Sequence, residues 1–337
     1  MWVNSKIIGA NQKRGESERA KRGDKDFIMS RSHLVAFAEN PAKWREGGEV
    51  REETKSMSFG SVLDCLATSP DTFESRFAIT PETYPAKPER KGEPSEMKPW
   101  TSRANYCKDW ESEKEAQGFS VVSAGTFAEA KKAFTTLQSN REIASLIECS
   151  EKQVLIVADW KDEETGLIIP FAALLDLVPH HSSPTWGKKL VDIKTTKNGN
   201  PAIWPRVCDD SGYDVQAAIY MDLYRAAKPN EDRVDFVHVV QENSFPFHVV
   251  TPPPCFSTEF MDWGRAKYLR AIRLYCRCVS SGFWPGYEQV GMPFGNTQII
   301  EPKDLWNYKK TAGLVGAAEF QMPQNPDPEE ENHDVIP

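Results

Sequence analysis

Leu167-Ile168-Ile169-Pro170-Phe171-Ala172-Ala173-Leu174-Leu175-Asp176 and, after a loop, Lys188-Lys189-Leu190-Val191-Asp192-Ile193-Lys194 are the two runs whose reading decides the fold. Both are short, apolar and closed by charge, so they read as strands that carry an acid to neighbouring strand ends. Pro170 has no amide to give to a ladder and marks an irregularity or an edge. Upstream, Gln153-Val154-Leu155-Ile156-Val157-Ala158-Asp159-Trp160 has the same character, and Asp162-Glu163-Glu164-Thr165-Gly166 makes the turn of a hairpin. A helix over 212–227 follows, with Val215, Ile219 and Leu223 on its apolar side and Gln216 and Tyr220 on the same element.

Outward from this centre the pattern predicts strands over 233–241 and 245–251 and a long amphipathic helix over 258–281. Toward the N-terminus it predicts helices over 101–116 and 126–149, and an apolar helix in Met57-Ser58-Phe59-Gly60-Ser61-Val62-Leu63-Asp64-Cys65-Leu66. The expected architecture is α/β, or α+β, with a central mixed sheet flanked by helices. Residues 1–27 are polar and basic and read as a flexible arm that could touch DNA, with structure beginning at Ile28. The segment 325–332 is acidic and proline-rich and reads as a disordered tail within a C-terminal extension, 301–337.

Composition narrows the class. Hydrophobic content of 39% and charged content of 27% suit a globular chain of 337 residues, and no apolar run is long enough to cross a bilayer or to serve as a secretion signal. The seven cysteines are an odd number, scattered, with no Cys-x-x-Cys pair, so reduced thiols in a cytoplasmic protein are expected rather than a zinc or iron–sulfur centre. A net charge of −8 excludes a broadly basic DNA-coating surface but permits a local basic channel.

The chemistry follows from residue types. Asp176 and Asp192, brought together from adjacent strands, supply the hard oxygen ligands that magnesium prefers, and manganese can take the same set. Lys194 stands two residues after Asp192, on the same side of a strand, where an ammonium can orient a water and stabilise charge on a phosphodiester. The Ile193 carbonyl between them is a further candidate ligand. Asp64 interrupts an apolar helix: it is either a solvated position or a third acid that needs a cation. Ser30-Arg31-Ser32 either caps a helix or contacts a phosphate at its start. His180 and His181, on a loop, read as solvent-facing.

The order Asp176, Asp192-Ile193-Lys194, Gln216 and Tyr220 resembles the PD-(D/E)XK nuclease superfamily, whose exonuclease branch places a Gln-x-x-x-Tyr helix after the Asp-x-Lys strand. Ser30-Arg31-Ser32, Asn40-Pro41-Ala42, Phe59-Gly60-Ser61-Val62-Leu63-Asp64, Val191-Asp192-Ile193-Lys194-Thr195-Thr196, Tyr213-Asp214-Val215-Gln216 and Gly282-Phe283-Trp284-Pro285-Gly286-Tyr287 resemble, in the same order, the phage-type exodeoxyribonuclease VIII-like exonucleases. The resemblance covers about residues 28–290 and implies a restriction-endonuclease-like core over 28–300. It implies a magnesium-dependent exonuclease that degrades one strand of linear duplex DNA, 5′ to 3′, feeding an annealing protein for recombination. A homo-oligomeric ring in the cytoplasm of a bacterial host, of phage or prophage origin, goes with it.

On this resemblance Asp64, Asp176, Asp192 and Ile193 hold the metal, Lys194 and Gln216 join the two strand acids in catalysis, and Ser30, Arg31, Ser32 and Tyr220 face DNA. Glu151 is a further acid that could approach the metal. Two departures stand out: relatives often have histidine where this chain has Asp64, and basic residues where it has Phe171-Ala172-Ala173-Leu174-Leu175. The competing readings are a structure-specific endonuclease or single-strand nuclease of the same superfamily, and a silent DNA-binding scaffold. Retention of Lys194 beside both aspartates speaks against the last.

Overall fold

The hairpin forms where the sequence places it, and the rest of the sheet grows from it. In the computed structural model, which describes residues 1–10, 21–47, 55–87 and 95–286, the elements run β1 (Trp2–Ala10), α1 (Arg31–Glu39), α2 (Pro41–Arg45) and α3 (Lys55–Thr68). A peripheral group follows: α4 (Phe73–Arg76), β2 (Phe77–Ile79), β3 (Thr83–Pro85), β4 (Met97–Pro99), α5 (Asn105–Ala116) and β5 (Ser120–Val122). The centre comprises α6 (Ala124–Ser139), α7 (Arg141–Glu148), β6 (Ser150–Lys161), β7 (Ile168–Pro179) and β8 (Lys189–Thr196). Then come α8 (Trp204–Asp210), α9 (Tyr213–Ala227), β9 (Asp235–Glu242) and α10 (Thr258–Ser281).

The main sheet has five strands in the order β1-β6-β7-β8-β9. β6 and β7 form the hairpin; its turn is closed by the Asp162 carboxylate, which accepts from the Thr165 amide and hydroxyl at 2.9 Å each, before Gly166 at φ 71°. β8 and β9 are parallel, from Lys189 opposite Asp235 to Thr196 opposite Glu242, and α9 is part of their crossover. The other pairings in this sheet are antiparallel, so it is mixed, with helices on both faces. This is the expected fold class.

Alternation along the strands separates two cores. On one face Ala158, Phe171, Leu175 and Phe236 pack with α1, α9 and α10 through Phe37, Ala217, Tyr224, Ile272 and Tyr275. On the other, Leu177, Val191, Ile193, Val237 and Val239 pack with Leu137, Ile143 and Leu146 of α6 and α7. A third cluster joins α3 to α6 through Phe59, Val62, Leu63, Ala130 and Ala133, with Phe247 added. Among the described residues no helix is long and apolar enough to cross a membrane.

Three expectations are corrected. Residues 2–10, read as part of a flexible arm, form edge strand β1: Trp2 packs edge-on against Trp160 and Phe171 at 5.2 and 5.3 Å, and irregularities between Val3 and Lys6 and between Ile7 and Gly9 break the alternation that would have announced a strand. The helix over 126–149 is two helices, because Asn140 caps α7 by accepting from the Glu142 and Ile143 amides. The segment 245–251 is a loop rather than a strand. It touches β9 by a single bridge, Gln241 to Val249, and Pro246 and Pro252 have no amide for a ladder. Residues 21–27 of the same arm are fastened too, with Arg22 donating to the Trp44 carbonyl, Tyr275 donating to the Asp24 carbonyl and Phe27 edge-on to Trp44; residues 11–20, the motif's Tyr287, the 300/301 boundary and the acidic tail lie outside the described residues.

Candidate active site

The site lies where the sheet splits. β7 and β8 are paired at Leu177 and Val191, then part, which leaves the Ile193 amide without a β7 carbonyl. The Asp176 carboxylate takes that place, accepting from the Ile193 N–H at 2.9 Å. On the other side of β7, the β6 ladder skips the rung between Gln153 and Asp176, and Gln153 has φ 51°. That left-handed backbone is uncommon for glutamine. Its side-chain amide donates to the Thr68 hydroxyl at 2.9 Å and lies 3.4 Å from both carboxylate oxygens of Asp64. Thus α3 delivers Asp64 toward the split, and β6 holds it there.

β8 sorts its side chains by parity. Val191 and Ile193 enter the second core, which turns Asp192 and Lys194 to the opposite face. Asp192 is buried; its Oδ1 accepts from Gln216 Nε2 at 2.6 Å and its Oδ2 is in direct contact with Lys194 Nζ. The Lys194 ammonium also lies 4.7 Å from the centre of the Tyr213 ring. Tyr213 and Gln216 are three apart on α9, hence neighbours on one helix face. Arg31 lies over the same tyrosine at 5.6 Å and donates to the Ser211 carbonyl. His238, opposite Asp192 on β9, is fully buried among Trp204, Tyr213, Phe236 and Phe256.

The charges perturb one another. Burial, then repulsion from Asp192, pushes the half-buried Asp64 carboxyl up to about 6 from its ordinary 3.8. Asp176 stands well above the ordinary value for the same first reason, with Asp192 and Asp64 adding to it. For Lys194 burial works downward, but Asp192, Tyr213 and Asp176 outweigh it and hold the ammonium above its usual value. Burial, with Lys194 and Arg31 nearby, depresses His238 and keeps its ring neutral.

Three mutually repelling carboxylates against one lysine are a donor set suited to a hard divalent cation, which would relieve the excess negative charge. Among the described residues no three carboxylate, histidine or cysteine side chains form a ready-made metal cage. The Gln153 amide lies beside Asp64, and the Ile193 amide, Gln216 and Lys194 already contact the other two acids. The fit therefore lies in the chemistry of the donors.

Asp64, Asp176, Asp192 and Lys194 act on one another electrostatically, and Gln216 binds Asp192 directly. Ile193 contributes its amide to Asp176 while its side chain stays in the second core. Ser30 is an N-cap, accepting from the His33 amide; Arg31 turns toward Tyr213; Ser32 is exposed. Tyr220 does not face DNA: one turn beyond Gln216, it is buried against Phe236. Glu151 is exposed at the start of β6, and Gln153, two residues on, is the residue beside Asp64. Gln153, Thr68 and the role of Tyr213 were missed. For Tyr213 the signal was its place on the Gln216 face, and for Thr68 its place four residues after Asp64 on α3, where its hydroxyl donates to the Asp64 carbonyl at 2.8 Å; for Gln153 none was available, since Asp64 is 89 residues away.

A mixed sheet with helices on both faces and an Asp, Asp-x-Lys cluster at its split defines the class: the PD-(D/E)XK superfamily. Residues 25–292 match the family described as a PDDEXK-like domain of unknown function (DUF3799), and the chain belongs to that family. Among proteins with curated descriptions none matches it. Of solved structures, a presumed exonuclease from Eubacterium rectale shares 13% identity, with 88% of this chain and 98% of that one covered at a TM-score of 0.46. Candida albicans Rai1 in complex with pU5-Mn2+ shares 11% identity over 78% of this chain and 70% of that one, with a TM-score of 0.23.

Proposed function

We propose that this protein is a metal-dependent deoxyribonuclease, an exonuclease that removes one strand from the ends of linear duplex DNA. What supports the reading is the split between β7 and β8, where Asp176 accepts from the Ile193 amide next to the Asp192–Lys194 pair and Gln153 lies beside Asp64. Asp64, Asp176 and Asp192, with the Ile193 carbonyl, would hold the cation, Mg2+ or Mn2+. Bound there, it would supply positive charge at the phosphate and lower the pKa of an attacking water.

The protein's own groups do the rest. Lys194 holds a proton-bearing ammonium beside Asp192, placed to orient water and to stabilise charge as the phosphorus gains a fifth oxygen. Gln216 fixes the Asp192 carboxylate, and Tyr213 limits where the lysine can swing. Arg31, facing the same ring at the start of α1, is suited to a DNA phosphate. The 5′ to 3′ polarity, a ring assembly around the duplex, and service to an annealing protein in a phage or prophage recombination system in the bacterial cytoplasm belong to the same proposal.

The test is incubation with linear duplex, closed circular duplex and single-stranded DNA, with Mg2+ or with chelator. Loss of linear duplex alone, dependent on the cation, is expected. Nicked circles would select a structure-specific endonuclease instead, and no cation-dependent loss of any substrate would select a silent DNA-binding scaffold.

A further inference from the structure

Beyond the carboxylates, the loop after β9 carries an unusual aromatic side chain. Phe245 is 86% exposed, more than any other large hydrophobic residue among those described, yet the loop that presents it is fastened at its root. The buried Gln241 amide donates to the Phe247 carbonyl at 2.5 Å, Glu242 N–H donates to the His248 carbonyl at 2.8 Å, and Asn243 N–H to the Thr196 carbonyl at 2.8 Å. Phe247 is buried, stacked on Phe59 of α3 at 6.3 Å and 16°, and its ring meets that of Phe245 edge-on at 6.3 Å. Phe59, Phe245 and Phe247 line an open cleft of about 520 Å³ together with Glu129, Lys132, Asn243 and Ser244. That volume is in the range of small-molecule sites.

The cleft adjoins the candidate active site along two elements. Thr196, which fastens the loop, is two residues beyond Lys194, and Phe59 is five residues before Asp64 on α3. Strand and helix rises put either step at about 7 Å. Gly60 ties the two elements: a Cβ there would lie 2.9 Å from the Thr195 hydroxyl, so α3 and the end of β8 are in close approach.

We propose that Phe245 and the cleft it lines form a base-stacking subsite for unpaired nucleotides of the strand whose phosphate lies at the carboxylates. This rests on the nuclease reading and adds to it a preference for frayed or single-stranded ends. An aromatic face on a fastened loop accepts any base, because every base has a π surface; Lys132 offers the backbone a cation, and Glu129 beside it keeps the cleft from being broadly basic, so stacking carries the recognition. A duplex end, whose bases are stacked on each other, has to open to use it.

The full-length protein in chelator, where no hydrolysis competes, is titrated with a short single-stranded oligonucleotide carrying 2-aminopurine. Wild type is expected to quench the probe, Phe245→Ala to lose the quench and about tenfold in affinity, and Phe245→Trp to restore both. Phe245 is exposed, so these variants are expected to fold. Unchanged affinity and quench in Phe245→Ala overturn the subsite, and this is also the outcome if Phe245 serves a protein contact. The two readings separate cleanly. Hydrolysis of linear duplex with a Phe245-independent probe signal leaves the nuclease standing and removes the subsite; a Phe245-dependent signal without hydrolysis of any DNA does the reverse.

Discussion

Two lysine–aspartate pairs meet the first turn of α9, and they differ in almost everything but chemistry. Lys194 and Asp192, held by Tyr213 and Gln216, have side chains 17% and 4% exposed and face two further carboxylates. Lys267 of α10 and Asp214 of α9 are 2.7 Å apart with side chains 2% and 0% exposed; Lys267 also reaches Asp209 at 2.9 Å. Around the second pair the chain is packed to contact: a Cβ at Gly264 would lie 2.1 Å from the Asp214 carbonyl oxygen. The sealed pair fixes where α9 begins, and the more accessible pair is served by what α9 then presents. A buried ion pair is thus no sign of an active site until access and surplus charge are considered.

The contrast can be broken from either side. Lys267→Ala strands Asp214 without its cation and is expected to cost about 3–5 kcal/mol, read as a fall in the urea midpoint; Lys267→Met with Asp214→Leu should recover most of it. If Lys267→Ala unfolds like wild type, the sealed pair is not an anchor. Lys194→Ala is expected to lower cation-dependent DNA hydrolysis by at least about 10²-fold while shifting the urea midpoint less than Lys267→Ala does. Equal turnover would reject the lysine's role. Gly264→Ala, which forces α10 off α9, should cost about 1–3 kcal/mol and lower kcat more than it raises KM, since Gln216 and Tyr213 move with the helix.

The smallest effect is in pH. A carboxyl raised on folding lends stability that is complete below its unfolded value and lost as pH rises through its folded value, which for Asp64 means between about 4 and about 6. The cation-free protein should therefore lose part of its thermal midpoint across that window, and Asp64→Asn should lose less. Identical pH profiles for the two would remove Asp64 from the cluster.

What the sequence disclosed, and what it hid, follows the range of the interactions. The α10 helix was legible to the residue because its signals are local: Ser257 accepts from the Phe260 amide and Gly282 closes the end at φ 72°. The β6–β7 hairpin was legible for the same reason, as was the spacing of Asp192 and Lys194 on one strand face. Hidden were the Gln153 contact to Asp64, between residues 89 apart, and the burial of Tyr220, where a polar-tipped side chain gives no local hint of which face it takes. The loop at Phe245 was misread because apolar residues flanking Pro246 imitate strand alternation. The Asn140 cap was present in the sequence and outweighed by the apolar periodicity on both sides of it.

β1 has a consequence for how the molecule assembles. It ends at Ala10, and the partner that completes its ladder begins at Ser150, whereas β6 and β7 are joined by a tight turn. During synthesis β1 leaves the ribosome long before the strand it needs, while the hairpin can zip on its own. That sheet edge cannot close before the hairpin strand is made, and an early-translated segment waits on a later one.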